Sequence, residues 1–185
     1  MKKFICIVLA LAMLSLLVKA GKDVVYRCFP LKYGGYIEQY AEEYGLDRVL
    51  VAAVIYVESG FDNTAHSGLA RGLMQMTDAT ADWVAERLGI DYDHDMAEEP
   101  EINIKMGCYY LSYLKDNYKN TETALAAYNA GMGNVTKWLA DESYSANGRT
   151  LDDIPYKETR NYVKRVKIIE QVYKKLYGRS DKAWK

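Results

Sequence analysis

Glu58 ends an apolar stretch whose side-chain spacing predicts an α-helix. Apolar residues recur at helical spacing between Leu50 and Val57, and Gly60 marks the end of the helix. A carboxylate in the last turn meets the negative end of the helix dipole, and apolar neighbours disfavour its charge further. Both effects raise the pKa of the carboxyl and predict a group that donates a proton near neutral pH. The alternative is a surface glutamate at a fraying helix end.

Four short segments combine polar residues with glycine or proline in a fixed order along the chain. They are ESGF from Glu58, a serine followed by GLMQ with Ser67, Met74 and Gln75, AYNAG with Tyr128 and Asn129, and IPYKETRNYV with Glu158 and Tyr162. Each segment alone is a weak signal, whereas the four in this order are specific.

In this order and spacing, the four segments resemble the soluble lytic transglycosylases of the goose-type lysozyme-like fold. The resemblance covers about residues 30–178 and is strongest to short single-domain members from Gram-positive bacteria. It implies a mainly α, lysozyme-like catalytic domain. The glycine and proline positions independently predict about seven helices, one of them capped by Asn134 and the last beginning near Pro155.

The resemblance also implies a reaction and a single catalytic residue. Glu58 would protonate the oxygen between N-acetylmuramic acid and N-acetylglucosamine. It would then take the proton of the muramoyl C6 hydroxyl as that oxygen closes on C1. The product is a 1,6-anhydro end on the glycan strand of peptidoglycan, made without water and without a cofactor.

Three substrate-binding residues are implied in the loop after Glu58. Ser67 would orient the muramoyl N-acetyl group, and Gln75 would lie beside the sugars with Met74 packed nearby. The alternatives are that Ser67 caps a turn and that Gln75 is a hydrogen-bonded polar group at a helix end.

Four more residues are implied further along the chain. Tyr128 would hydrogen-bond near Glu58, Asn129 would help to hold that loop, and Glu158 and Tyr162 would close one side of the site. The alternatives are that both tyrosines belong to the apolar core and that Glu158 pairs with neighbouring basic residues.

The residues themselves favour a one-acid mechanism. Hydrolysis of a glycoside ordinarily uses two carboxylates, and only Glu58 has a convincing environment. Asp62 lies in a polar stretch, while Asp78 and Asp82 are explained by helix capping. An intramolecular hydroxyl removes the need for a second carboxylate. A one-acid hydrolytic muramidase and a non-catalytic cell-wall-binding protein remain alternatives.

The first twenty residues are typical of an export segment. Lys2 and Lys3 precede an uncharged run from Phe4 to Val18, and a small-residue site ends at Ala20. The segment is either a cleaved signal peptide or an anchor that holds residues 4–18 in the membrane. Both place the rest of the chain outside the cytoplasm. Residues 21–29 then form a linker, and residues 179–185 a charged tail.

Composition limits the partners and cofactors. The formal net charge of -1 gives no whole-chain argument for nucleic acid. The chain has only 2 histidines and no CxxC motif, so we expect no metal site. Cys28 and Cys108 could pair in an oxidising compartment, or Cys108 is a buried thiol. The partner we expect is peptidoglycan, bound by a monomer.

Overall fold

The chain divides into two units, Met1–Pro30 and Leu31–Lys185. The computed structural model describes residues 2–184, with the side chains of residue 4 and of residues 13–184. The first unit contains helix α1 (Lys2–Cys28), which continues through most of the expected linker. The side chains of residues 5–12, part of the expected export segment, lie outside the described residues. No helix among the described residues combines the length and the apolar character needed to cross a membrane.

Seven further α-helices build the described part of the second unit. They are α2 (Gly34–Glu43), α3 (Arg48–Ser59), α4 (Asp78–Leu88), α5 (Pro100–Tyr118), α6 (Thr121–Ala130), α7 (Met132–Leu139) and α8 (Lys157–Tyr177). Three two-residue strands, β1 (His66–Ser67), β2 (Ala70–Arg71) and β3 (Met76–Thr77), form a small antiparallel sheet between α3 and α4. The predicted mainly α architecture is confirmed, and the small sheet was not predicted.

Helix α3 runs through the middle of the core. Every residue from Val49 to Ile55 is buried, and α8 packs along the helix. The Asp47 carboxylate caps its first turn by accepting from the Val49 N–H at 2.8 Å, and Gly60 ends it in the left-handed conformation at φ 62. Because Glu58 follows directly on this buried run, rigid packing fixes where its backbone lies.

One predicted helix start was wrong. Helix α7 begins at Met132, since Gly131 at φ 83 turns the chain directly from α6 into α7. The Asn134 side chain does not cap it and donates to the Ala130 carbonyl at 2.8 Å. Helix α8 begins at Lys157, two residues beyond Pro155 and so near the predicted start.

The C-terminal segment is folded onto the second unit. Trp184 is fully buried, and its indole N–H donates to the Tyr177 carbonyl at 3.2 Å. The Arg48 guanidinium lies 4.9 Å from the centre of the indole ring and pairs with Asp181 at 2.7 Å. The segment expected to be a charged tail is therefore held by one aromatic side chain that its charge pattern does not reveal.

Candidate active site

Glu58 lies in the last turn of α3 and is largely withdrawn from solvent. Burial raises the pKa of its carboxyl from 4.5 to about 7. The Tyr162 hydroxyl and the Arg165 charge both lower this pKa, but they only partly oppose the effect of burial. The predicted rise is confirmed, and its principal cause is burial. Near neutral pH this carboxyl can both give and accept a proton.

Two tyrosines, the partly buried Tyr128 and the buried Tyr162, lie near Glu58 and differ in their hydrogen bonds. The Tyr128 hydroxyl donates to the Met74 carbonyl at 2.8 Å. The Tyr162 hydroxyl is buried and makes no hydrogen bond of regular geometry with any described residue. Burial, and then the Glu58 charge, raise the pKa of both hydroxyls well above the ordinary value. Both therefore stay protonated; the Tyr128 proton goes to a backbone carbonyl, whereas the Tyr162 hydroxyl faces the Glu58 carboxyl and lowers its pKa.

The backbone at Leu73 and Met74 is held by three helices. The Ser59 hydroxyl, from α3, donates to the Leu73 carbonyl at 2.8 Å, and Tyr128, from α6, holds the next carbonyl. The Asn103 amide oxygen, from α5, accepts from the Met74 N–H at 2.8 Å. The loop that carries the GLMQ motif is thus fixed to the helix that carries Glu58.

Asn103 is a residue that sequence reasoning missed. It is 2% exposed, and its Nδ2 also donates to the Ala97 carbonyl at 2.8 Å and the Arg71 carbonyl at 3.3 Å. Its signal in the sequence is one polar residue between Ile102 and Ile104, where an apolar side chain would ordinarily lie. A buried amide of this kind is kept because it satisfies backbone groups.

Met74 is fully buried beneath the loop. Its side chain packs so closely on Gly107 of α5 that a Cβ there would overlap its sulfur. A side chain in this position supports the loop from below and offers no surface to a ligand. Its implied contact with substrate is therefore corrected to a packing contact.

Ser67 and Gln75 are brought together on the small sheet. The Ser67 hydroxyl donates to Gln75 Oε1, and Gln75 Nε2 donates to the Ala65 carbonyl at 2.9 Å and the Gly72 carbonyl at 2.8 Å. Gln75 thus organises the loop from the turn before β3, and its backbone lies at φ 47. The Ser67 side chain is exposed.

Asn129 and Glu158 line a second part of the surface. Both are exposed, and with Pro155, Tyr156 and Lys157 they border an open cavity of about 550 Å³. Within the described residues the Glu158 carboxylate has no ion pair and the Asn129 side chain no hydrogen bond. At the same junction of α6 and α7, the Asn134 side chain donates to the Ala130 carbonyl at 2.8 Å.

The acidic side chains considered as second catalytic groups have other roles. The Asp62 carboxylate accepts from the Thr64 N–H at 3.0 Å and hydroxyl at 2.9 Å, and these bonds lower its pKa. Asp78 lies 3.8 Å from Arg71 in the first turn of α4. Cys108 is a free, buried thiol, as one alternative predicted. Among the described residues, Glu58 is the one carboxyl that lies in a motif segment and has a pKa raised to near neutrality.

Residues 35–149 match the family model described as the transglycosylase SLT domain. The chain belongs to this family. The chain is 33% identical over 177 residues to the soluble lytic murein transglycosylase of Salmonella typhimurium, a match that covers 89% of the chain and 27% of that relative. The chain therefore spans about a quarter of the length of such relatives.

Two solved structures share the fold of the SLT domain. The 70 kDa soluble lytic transglycosylase of Escherichia coli has a TM-score of 0.74 and 31% identity, covering 83% of this chain and 26% of that one. An inactive glutamate-to-glutamine variant of the lytic transglycosylase Slt of Pseudomonas aeruginosa has a TM-score of 0.73 and 31% identity, covering 84% and 26%. The expected lysozyme-like, lytic transglycosylase fold is confirmed.

Proposed function

We propose that this chain is a lytic transglycosylase that cleaves the glycan strands of peptidoglycan. The observation that carries the proposal is Glu58, a carboxyl largely withdrawn from solvent whose pKa is raised to about 7 beside two protonated tyrosines. The names of the relatives, which act on murein, support the same substrate. Because the match covers only 27% of the first of these relatives, the proposal concerns the cleavage reaction alone and not every activity of the longer relatives.

The proposed reaction has two steps. Protonated Glu58 gives its proton to the oxygen that links N-acetylmuramic acid to N-acetylglucosamine, and the bond from muramoyl C1 to that oxygen breaks. The Glu58 carboxylate then takes the proton of the muramoyl C6 hydroxyl as O6 bonds to C1. Glu58 ends protonated, no water is consumed, and a 1,6-anhydro end forms. A pKa near 7 suits a group that gives and takes one proton in turn.

Tyr162 would stabilise Glu58 between the two steps. After the first step the carboxylate is charged in a site that disfavours charge. The Tyr162 hydroxyl, which lowers the pKa of Glu58, would then donate to the carboxylate, and Arg165 would attract it electrostatically. Tyr128 is less able to do so because its proton is already given to the Met74 carbonyl.

The remaining site residues would position the glycan strand. Ser67, which is exposed at the edge of the loop, would bind the muramoyl N-acetyl group, and Gln75 would hold Ser67 in place. Asn129 and Glu158 border the open cavity and would contact the strand on that side. Met74 would act only through packing beneath the loop.

The substrate lies outside the cytoplasm, so the proposal includes export. Residues 1–20 would act either as a cleaved signal peptide or as an anchor through residues 4–18. The basic start and the uncharged run support this export role. N-terminal sequencing of the native protein separates the two, because a cleaved signal gives a chain that begins after Ala20.

Product analysis tests the reaction. Purified peptidoglycan is digested and the muropeptides are weighed by mass spectrometry. Anhydro ends are one water lighter than the reducing ends that a muramidase leaves. Reducing ends alone would favour hydrolysis, and undigested peptidoglycan a non-catalytic wall-binding protein. The Glu58→Gln variant is the matched control because it keeps shape and hydrogen bonding but has no titratable proton.

A further inference from the structure

Positive charge is concentrated at the C-terminal end of the chain, most of it on α8. Residues 157–185 contain 10 basic and 3 acidic residues, whereas residues 1–156 contain 14 basic and 22 acidic residues. The formal net charge of -1 therefore conceals a cationic segment joined to an acidic remainder. A charge asymmetry of this kind indicates an interaction with an anionic partner at one face of the molecule.

The exposed face of α8 carries much of this charge. Four exposed side chains follow one another along the helix at steps of four, three and four residues and form a stripe: Lys164, Ile168, Gln171 and Lys175. Further exposed cations flank the stripe or extend it beyond the end of the helix: Arg165, Lys167, Lys174 and Arg179. The stripe and its flanks contain no acidic residue, so this face presents a continuous row of positive charge.

The fold neutralises little of this charge. Lys167 pairs with Glu122, but the part of the chain that the structure describes offers no ion pair to the other lysines of the stripe and its flanks or to Arg179. Glu170 is partly buried, and burial followed by the charge of Asp47 raises its pKa, so it faces the start of α3 and not the stripe. Like charges about one turn apart repel one another, and an anionic ligand would relieve this repulsion.

A cavity at the C-terminal end of the stripe gives part of this face a concave shape. Its volume is about 520 Å³, and it is open to solvent and lined by Gln171, Lys174, Lys175, Gly178 and Arg179. Three of the five lining residues are cations, and the Gln171 amide adds an uncharged donor. Lysine and arginine side chains are the usual protein donors to phosphate oxygens. The cavity is therefore suited to a phosphate group.

We propose that the stripe and its cavity bind a phosphodiester polymer of the cell wall, of the poly(glycerol phosphate) type. One phosphate would occupy the cavity, and the phosphates that follow would meet the cations along α8. The stripe from Lys164 to Lys175 is about 16 Å long at 1.5 Å per residue, which is room for more than one repeat of an extended polymer. The choice of a wall polymer rests on the proposed export, whereas binding itself requires no cleavage.

Two other anionic partners fit this face less well. Proteins bind single-stranded nucleic acid by stacking its bases on aromatic rings, but the three tyrosines of α8, Tyr162, Tyr173 and Tyr177, are buried. A helix that lies on a membrane inserts an apolar face, whereas Ile168 is the one large apolar side chain that α8, described along its whole length, exposes. A hydrophilic polymer without bases is therefore the better match.

Calorimetric titration of the full chain with a soluble poly(glycerol phosphate) oligomer tests the proposal without any cleavage. A triple variant, Lys174→Gln with Lys175→Gln and Arg179→Gln, removes the cations of the cavity. We expect it to bind the oligomer about a hundredfold more weakly than the parent does at low salt. Parental affinity should itself fall more than tenfold between about 50 and 200 mM salt, because binding releases counterions.

The matched control removes the same charges elsewhere. It combines Lys119→Gln, Lys137→Gln and Arg149→Gln, which are two lysines and one arginine at exposed positions outside α8. All six positions are exposed, so both triple variants should fold as the parent does, as judged by circular dichroism. The control should bind the oligomer nearly as tightly as the parent does.

Three results would overturn the inference. Equal affinities in the two triple variants would show that α8 is not the binding face. Equally tight parental binding of an oligothymidylate with the same number of phosphates would contradict the choice of a base-free polymer. Binding to phosphatidylglycerol vesicles that only the α8 variant loses, without binding to the oligomer, would replace the polymer with a membrane surface.

The outcomes separate this inference from the proposed function. The cavity begins about 18 Å along α8 from Tyr162, so the α8 variant should release anhydro products from polymer-free peptidoglycan as the parent does. Anhydro products from a parent that does not bind the oligomer would overturn the inference alone. Oligomer binding that only the α8 variant loses, in a parent that cuts nothing, would support the inference and leave the proposed reaction to fail by itself.

Discussion

The Tyr162 hydroxyl lies beside the Glu58 carboxyl, in a buried position where no described residue offers it a regular hydrogen bond. The two side chains come from α8 and α3, which pack along one another. The hydroxyl lowers the pKa of Glu58, so it stabilises the ionised carboxyl more than the protonated one. Ionised Glu58 is the acceptor that the geometry supplies.

The Tyr162→Phe substitution should therefore shift the pH dependence of activity. The hydroxyl lowers the pKa of Glu58, so its loss should move that pKa upward from about 7. Because Glu58 must begin protonated, kcat/KM should fall with rising pH at a higher pH than in the parent. A pH–rate profile on peptidoglycan measures this, and an unchanged or downward shift would contradict the role given to Tyr162.

Glu58 should make the folded protein less stable as the pH rises. Its folded-state pKa of about 7 is above the ordinary 4.5, so the folded state holds the proton more tightly and loses stability between these two values. Above pH 7 the Glu58→Gln variant should be more stable than the parent by about 1–3 kcal/mol.

The gain in the Glu58→Gln variant should disappear below about pH 4, where both proteins are neutral at this position. Urea unfolding at the two pH values measures it. Glu142→Gln, at an exposed loop position, is the control and should show no such dependence. A Glu58→Gln gain that is the same at both pH values would show that burial of the charge is not its cause.

The two hydroxyls that hold the GLMQ loop should contribute to its stability. Tyr128→Phe removes the donor to the Met74 carbonyl, and Ser59→Ala removes the donor to the Leu73 carbonyl. Each should cost about 1–3 kcal/mol and reduce activity, since a backbone acceptor is left unpaired. Hydrogen exchange of residues 72–76 should accelerate in both variants. Unchanged exchange there would mean that the helices do not fix this loop.

Gly72 and Gly68 provide a matched pair for the close packing behind the loop. Both have left-handed backbones, at φ 75 and φ 61. A Cβ at Gly72 would overlap the Ala97 carbonyl and the Asn103 side chain, whereas a Cβ at Gly68 would meet nothing.

Gly68→Ala should therefore cost about 1 kcal/mol, from backbone strain alone. Gly72→Ala should cost about 3 kcal/mol or more, because Asn103 must also move and release the Met74 N–H. Thermal or urea unfolding of the two variants compares them. Equal losses of stability would contradict the conclusion that Asn103 holds the loop through the Met74 N–H.

Much of this site could be predicted where it depends on local pattern. Helical spacing and Gly60 placed Glu58 in the last turn of α3, and apolar neighbours gave the direction of its pKa shift. The motif also located Gln75, but its amide is used within the loop because backbone carbonyls from Ala65 and Gly72 fold around it. That arrangement depends on the small sheet, whose two-residue strands are too short to show a period.

Features that depend on distant contacts could not be predicted. In the sequence, Asn103 is one polar residue between apolar neighbours. Its role follows only from the fold, in which its amide oxygen accepts from the Met74 N–H. Trp184 reads as part of a charged tail until α2 and α3 provide the surface that buries it. An open groove lined by Trp83, Tyr110 and Met132 is likewise formed by three helices that are separate in the sequence.

The measurement that tests the central claim most directly is mass spectrometry of the muropeptides released by the parent and by Glu58→Gln, each at pH 7. The parent should release products with 1,6-anhydro ends, one water lighter than reducing ends. The Glu58→Gln variant should be folded, as judged by circular dichroism, and release almost none. Reducing ends from the parent, or anhydro products in equal yield from the folded variant, would contradict the assignment of Glu58 as the sole acid and base.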